Sequence, residues 1–255
     1  MDEIPSVHEY DRGHSPVVAQ VSDRDAGMVS PFHRHPTAQL LYAVEGVMVV
    51  STEFGQWIVP PTRGVWLPIG TLHSVRMVTQ VRMRSIFIRE DALAGLPQTC
   101  CVLAISPLLR ELIIAAVGIV HPYDEAGRDG RVMRLLLDEI HTVTELPLAL
   151  PMPKSADLQA ICADLRRNPA RTMPAREWAE KLGIDVRTLQ RRFERETGLT
   201  FGRWQRQARL VVALEQLALG RKIIDVALEL GYESPTAFST MFKRELGIAP
   251  SGFFG

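Results

Sequence analysis

The sequence predicts an α+β, multidomain chain: a β-barrel domain with accessory helices in front and an all-α domain behind. Three observations carry that prediction. Apolar residues come in short strand-length runs up to about Ile88, then adopt a helical period from Pro107 onward. A proline-rich stretch holding Pro147, Pro151 and Pro153 separates two halves. The formal charge also changes sign there. Residues 1–153 carry 12 Lys+Arg against 17 Asp+Glu, a net −5, and residues 154–255 carry 17 against 12, a net +5.

The front half reads as successive strands: "QLLYAVEG", "VMVVSTEFG", "QWIVPP", "GVWLPIG", "HSVRMV" and "RMRSIFI". Each is rich in Val, Ile and aromatics and is bounded by turn residues, as in a meander, sandwich or barrel. Next, "PLLRELIIAAVGIV" and "GRVMRLLLDEIHTV" read as amphipathic helices split by the turn-like "HPYDEAGRDG". They carry enough apolar surface either to cover the sheet or to join two subunits. The first domain is set at 1–150, the linker at about 147–155 and the second domain at 155–255.

Bulk properties exclude several classes. With 255 residues, 46% apolar and 23% charged, the chain is a soluble globular protein long enough for two cores. The start, "MDEIPSVHEYDRG", has no signal-peptide pattern, and the longest apolar run, Leu112 to Val120, is too short to cross a bilayer. Cys100, Cys101 and Cys162 have neither zinc nor redox spacing and cannot all pair, so a reducing cytoplasm is expected. No nucleophile motif and no phosphate-cradling glycine loop is present. The sequence therefore reads as a non-enzyme.

The basic half contains an internal repeat. "EWAEKLGIDVRTLQRRFERETG" and "DVALELGYESPTAFSTMFKRELG" align at an offset of 48 for Ala179, Leu182 and Gly183, and of 49 for Leu189, Phe193, Glu196 and Gly198. The extra residue falls in the turn between two helices. Each copy is a helix-turn-helix, with Ala179 or Ala227 allowing a close crossing. Val186, Leu189 and Phe193 mark the buried stripe of one second helix, and Phe238 and Phe242 that of the other. Arg187, Gln190 and Arg191 then face outward, as do Thr236, Ser239, Thr240 and Lys243. Ser234 and Pro235 are start signals. The segment "FGRWQRQARLVVALEQLALG" between the copies reads as a helix of roughly 29 Å, near the roughly 34 Å of a duplex turn. Two recognition helices could thus enter successive major grooves. Arg187 and Arg191 suit guanine edges and Gln190 adenine, while Arg203, Arg206 and Lys243 suit phosphates.

The last hundred residues resemble the DNA-binding domain of AraC/XylS-type transcription regulators. "IIDVALELGYESPTAFSTMFKRELGIAPSGFF" and "RTLQRRFERETGLTF" carry the resemblance. It implies double-stranded DNA as partner, a homodimer, a small-molecule effector and no membrane. It also implies base-facing roles for Arg187, Gln190, Arg191, Thr236 and Thr240, with Ser234 beside them. Members with a barrel in front often govern a neighbouring exporter or catabolic gene.

In the front half, "PFHRHPTAQLLYAVEG" and "LPIGTLH" set Gly27, His33, His35, Gln39, Gly46, Pro68, Gly70 and His73 in an order that resembles the two motifs of the cupin family. That family's barrels hold a metal with three His and one Glu. Here Gln39 stands for the Glu, and Met77 for an Asn that often ends the second motif. The resemblance implies one divalent transition metal (Zn, Ni, Fe or Mn) on His33, His35, Gln39 and His73. An amide oxygen is a neutral, weaker ligand than a carboxylate, so the ion would keep its full charge and could draw an anionic or electron-rich effector. The alternative is a metal-free pocket. Gln39 also counts against the rival function, a metal-dependent cupin enzyme (dioxygenase or isomerase type) fused to a DNA-binding tail.

Overall fold

Val-, Ile- and aromatic-rich runs become strands in the computed structural model, which describes residues 15–253 except 62, 143–144, 147–148 and 172. His8, His14 and Pro147 lie outside the described residues. The chain divides into two compact units, residues up to Thr52 with Val59–Ala149, and Glu53–Ile58 with Leu150 onward. No helix of the described residues is long and apolar enough to cross a membrane.

In the first unit β1 (Val17–Arg24), β2 (Ala38–Glu45), β3 (Met48–Thr52), β4 (Gly55–Val59), β5 (Arg63–Leu67), β6 (His73–Met77) and β7 (Val81–Ile88) follow one another as the turn spacing predicts, although most of β4 is grouped with the second unit. The strands β8 (Cys101–Ala104) and β9 (Glu145–Leu146) complete a six-stranded sheet of order β1-β7-β2-β5-β8-β9. In a second sheet β3 pairs antiparallel with β6, Met48 opposite Met77 through Thr52 opposite His73. Gly46 turns the β2–β3 connection at φ +83°, and a Cβ there would meet the Gln80 carbonyl oxygen at 2.0 Å, so only glycine fits.

Alternation along β2 and β7 separates two environments. Leu40, Tyr42, Ile86 and Ile88 face outward and are covered by α1 (Pro107–Ala116) and α2 (Arg128–Thr142) through Leu109, Ile113, Met133, Leu136 and Ile140. The two amphipathic helices thus cover the sheet. Ser106 caps α1, its Oγ accepting from the Leu109 N–H at 3.0 Å. Gln39, Leu41, Met83, Ser85 and Phe87 face the interior.

The second unit holds α3 (Ala156–Arg167), α4 (Ala175–Leu182), α5 (Val186–Thr197), α6 (Phe201–Ala218), α7 (Ile223–Glu229) and α8 (Pro235–Leu246). Its aromatic core stacks Phe193 against Phe201 and Trp204 at 5.1 and 5.8 Å, and Phe242 against Phe238 and Phe253 at 5.7 and 5.3 Å.

The stretch between the two halves holds more structure than its composition suggests. The proline-rich linker contains a strand, β10 (Ala149–Pro151), that neighbours β4. Proline keeps the residue before it extended and is tolerated at a sheet edge, so linker composition and an edge strand are compatible. Glu53–Ile58 group with the second unit because β4 neighbours β10. Gly55 lies so close to β10 that an added Cβ would come within 2.5 Å of the Leu150 carbonyl oxygen.

Within the second unit the linker end is fastened to α5. One carboxylate oxygen of Glu196 accepts from the Lys154 N–H (3.0 Å), the Ser155 N–H (2.9 Å) and the Ser155 hydroxyl (2.8 Å). Arg192 of α5 grips Asp157 of α3 with both bonds at 3.0 Å or less. These bonds hold the Glu196 and Asp157 carboxyls below their ordinary range against the opposing effect of desolvation. Glu196→Ala is therefore expected to destabilise this unit by about 1–3 kcal/mol at neutral pH. The wild-type contribution is present at neutral pH and lost as pH falls through the depressed folded-state pKa. Thermal melts of both proteins at pH 7 and pH 3 check this, with a smaller difference expected in acid.

Candidate metal pocket and nucleic-acid interface

The histidine motifs converge because of backbone pairing. His33 and His73 form an isolated antiparallel bridge, with N–H to carbonyl distances of 2.9 and 2.8 Å in the two directions. Opposed residues share a face, and His35 lies two residues on in the same extended segment. The ring centroids are 4.3 Å apart for His33–His73, 5.1 Å for His33–His35 and 5.4 Å for His35–His73. One ligand atom from each of the three imidazoles lies within 4.8 Å of the others.

The tautomers follow from the second bonds. His33 Nδ1 lies 2.8 Å from the Pro31 carbonyl oxygen and His73 Nδ1 lies 2.9 Å from that of Thr71. A carbonyl only accepts, so Nδ1 donates in both rings and Nε2 is left with its lone pair. The His73 Nε2 is buried without a hydrogen-bond partner. Burial pushes His35 and His73 down to about 4, with His33 adding repulsion, so both are neutral at pH 7.

Gln39, at the start of β2, is only 4% exposed. Its amide N–H donates to Ser85 Oγ at 3.2 Å, while its Oε1 is buried with no partner. The amide is thus oriented with its oxygen as the unused acceptor. These four residues line one cavity of about 90 Å³ together with Ser85, Phe87, Met83 and Met77. That volume holds an ion with a few waters, or one small ligand group. Sequence reasoning missed the β7 contribution. The signal was Ser85, a polar residue on the inward-facing register of "RMRSIFI".

The predicted nucleic-acid contacts all lie in the second unit. Copy one is α4–turn–α5 and copy two α7–turn–α8. Counted from the turn glycine to the cap of the second helix, copy two is one residue longer, Gly231 to Ser234 against Gly183 to Asp185. Asp185 caps α5, its Oδ1 accepting from the Thr188 N–H at 2.8 Å, and Ser234 caps α8, its Oγ accepting from the Ala237 N–H at 3.1 Å. Leu189, Phe193, Phe238 and Phe242 are fully buried, whereas Val186 is only half-buried. Met241 is buried too, a core position that the sequence reading left out.

Arg187, Gln190 and Arg191 are exposed on one face of α5, at i, i+3 and i+4. Of the four arginines of α5, Arg192 pairs with Asp157 and Arg195 with Glu196, while Arg187 and Arg191 have no carboxylate partner among the described residues. The same holds for the exposed Arg203, Arg206 and Lys243, whereas Arg244 pairs with Glu245. Thr236 and Thr240 are exposed on α8 and Ser234 is half-buried. Between the copies α6 runs 18 residues, about 27 Å at 1.5 Å per residue, capped by Thr200 and closed by Gly220 at φ +76°.

A barrel enclosing a small pocket, followed by two tandem helix-turn-helix units whose outward cations have no carboxylate partner among the described residues, is the architecture of a transcription regulator with a ligand-binding domain. Residues 15–143 match the AraC-like ligand binding domain and residues 178–255 the Helix-turn-helix domain. Over 247 residues the chain is 33% identical to the HTH-type transcriptional regulator NimR of Escherichia coli (strain K12), covering 96% of this chain and 90% of that protein. It is 41% identical over 76 residues to the regulatory protein SoxS of Salmonella typhimurium, 29% of this chain and 71% of that one. Among solved structures, ToxT from Vibrio cholerae is similar at TM-score 0.40 and 11% identity, covering 94% of this chain and 98% of that chain. The chain belongs to the AraC family of HTH-type transcription regulators, and its relatives are named as regulators rather than enzymes.

Proposed function

We propose that the chain is a cytoplasmic, homodimeric regulator whose barrel holds one divalent transition metal (Zn, Ni, Fe or Mn) as part of a small-molecule sensing site. His33, His35 and His73 would be the ligands, with the Gln39 amide oxygen as the weaker fourth. The observation that carries this reading is the buried, partnerless pair His73 Nε2 and Gln39 Oε1 lining one cavity. A buried polar atom without a partner is costly, and a cation would satisfy both. When bound, such an ion would supply a positive charge at the cavity floor, attracting an anionic or electron-rich effector.

On the DNA side, Arg187, Gln190 and Arg191 read base edges, Thr236 and Thr240 make methyl contacts, and Arg203, Arg206 and Lys243 hold phosphates. The absence of carboxylate partners on these cations among the described residues supports their meeting DNA. Leu108 on α1 and Leu135 on α2 stay 49% and 44% exposed on the outer side of the sheet-covering helices and suit a second copy. By family resemblance, the target is a neighbouring exporter or catabolic gene.

Elemental analysis of the purified chain tests the sensor reading. About one equivalent of a transition metal per chain is expected after gel filtration in chelator-free buffer. Metal below a tenth of an equivalent, even after reconstitution with each of the four ions, sinks it.

A further inference from the structure

The outward face of α5 carries one residue whose charge opposes contact with phosphates. Successive helical residues turn by about 100°, so Gln190, Arg191 and Glu194 project at about −60°, +40° and −20° from Arg187. Glu194 therefore lies in the middle of the stripe formed by the three proposed base readers, on the side away from the buried Leu189 and Phe193. It is exposed, as they are. Seven residues at about 1.5 Å each place it about 10.5 Å beyond Arg187, a reach of about three base pairs along a duplex.

The protein itself leaves this carboxylate unused. Arg191 stands three residues before it, a spacing at which opposite charges can meet on a helix surface. Arg195 follows it directly but pairs with Glu196, and neither Arg191 nor Glu194 has an ion-pair partner among the described residues. Acid and base on this face each keep their hydrogen-bonding capacity. An unpaired carboxylate there weakens nonspecific binding, because phosphates repel it. It gains on DNA only where it meets a donor. In the major groove the donors are cytosine N4 and adenine N6. Adenine sets its N7 acceptor beside N6, which repels a group that only accepts, whereas cytosine presents its donor alone. Guanine O6 and thymine O4 are acceptors and repel it too.

We infer that Glu194 is a specificity-determining residue of α5 that accepts a hydrogen bond from cytosine N4, about one base pair beyond the pair met by Arg191. Its carboxylate turns away the other three bases at that position. The inference rests on α5 being the base reader and adds an acidic member to its code.

Selection of a randomised duplex pool on the full chain, followed by titration of the enriched site at fixed salt, tests it. Wild type is expected to require cytosine at one position under the C-terminal half of α5, with the other bases costing about ten- to a hundredfold there. Glu194→Ala should level the four bases at that position to within about threefold and bind random duplex about two- to fivefold more tightly. Preferences at the other positions should persist. Glu194→Gln should exchange cytosine for adenine, since an amide bonds both N6 and N7. Both substitutions lie on the solvent side of α5, so thermal melts should match wild type. Base preferences that are the same in wild type, Glu194→Ala and Glu194→Gln overturn the inference, as does a preference lost at a base other than cytosine. If Arg187→Ala and Arg191→Ala still relax their own positions in that case, α5 remains the base reader, and if they do not, that reading falls as well.

Discussion

Arg191→Ala is expected to weaken operator binding ten- to a hundredfold, about 1–3 kcal/mol, while binding to random duplex changes by only a few fold. Arg191 lies on the same exposed face of α5 as Arg187 and Gln190 and has no carboxylate partner among the described residues. Truncating a side chain that bonds a base edge removes sequence discrimination and leaves phosphate contacts untouched. Lys243→Ala is the contrasting case. Its loss should weaken operator and random DNA alike and reduce the salt slope by about one. Titrations of both DNAs at fixed salt separate the two behaviours. Equal losses on the two DNAs for Arg191→Ala would show that it grips phosphate, and the assignment of α5 as the base reader would fall.

The two copies are not equivalent in chemistry. The face of α5 offers two guanidiniums and an amide, each able to make paired hydrogen bonds to a base. The face of α8 offers Thr236 and Thr240, which supply single bonds and methyl groups. On the proposed division of contacts, base changes under α5 should therefore cost more than those under α8. The 18-residue α6 spans about 27 Å between copies, close to one duplex turn.

Much of this was legible in the sequence, for physical reasons. A repeat with fixed Gly, Ala and Phe positions specifies a helix crossing and its core, so α4–α5 and α7–α8 were readable from spacing alone. His33, His35 and His73 were readable through the resemblance to the two cupin motifs, and the β-bridge between His33 and His73 is what brings them together. What escaped depended on long-range partners. Ser85 orients Gln39 from a strand 46 residues away. Strand β10 hides in a proline-rich stretch whose composition fits an edge strand as well as a linker. Glu196 is a repeat match in sequence, whereas in the fold one of its oxygens gathers three donors from Lys154 and Ser155. Likewise, which arginines of α5 are unpaired depends on Asp157, about thirty residues back in the chain.

His73→Ala is expected to reduce bound metal from about one equivalent to background, with His33→Ala doing the same, while the purified variants still bind DNA nonspecifically. Each removes one of three imidazoles from a set whose fourth member, Gln39, is a neutral amide too weak to compensate. Gln39→Glu should act in the opposite direction, raising metal retention against a chelator, because a carboxylate adds charge where the amide has none. Acid should mimic the alanine variants. His35 and His73 titrate at about 4 in the folded apo barrel and near 6.5 when unfolded. At pH above 6.5 neither state binds the proton, so they add no pH dependence. Between about 6.5 and 4 the unfolded chain takes up protons that the folded pocket refuses, and apo-barrel stability falls by up to about 2–3 kcal/mol per histidine. Metal analysis and melting of wild type, His73→Ala and Gln39→Glu across pH 4–8 check both effects. Unchanged metal content in His33→Ala and His73→Ala would leave the three imidazoles as packing groups of an ion-free pocket, because no ligand set missing a member of this cluster retains three histidines.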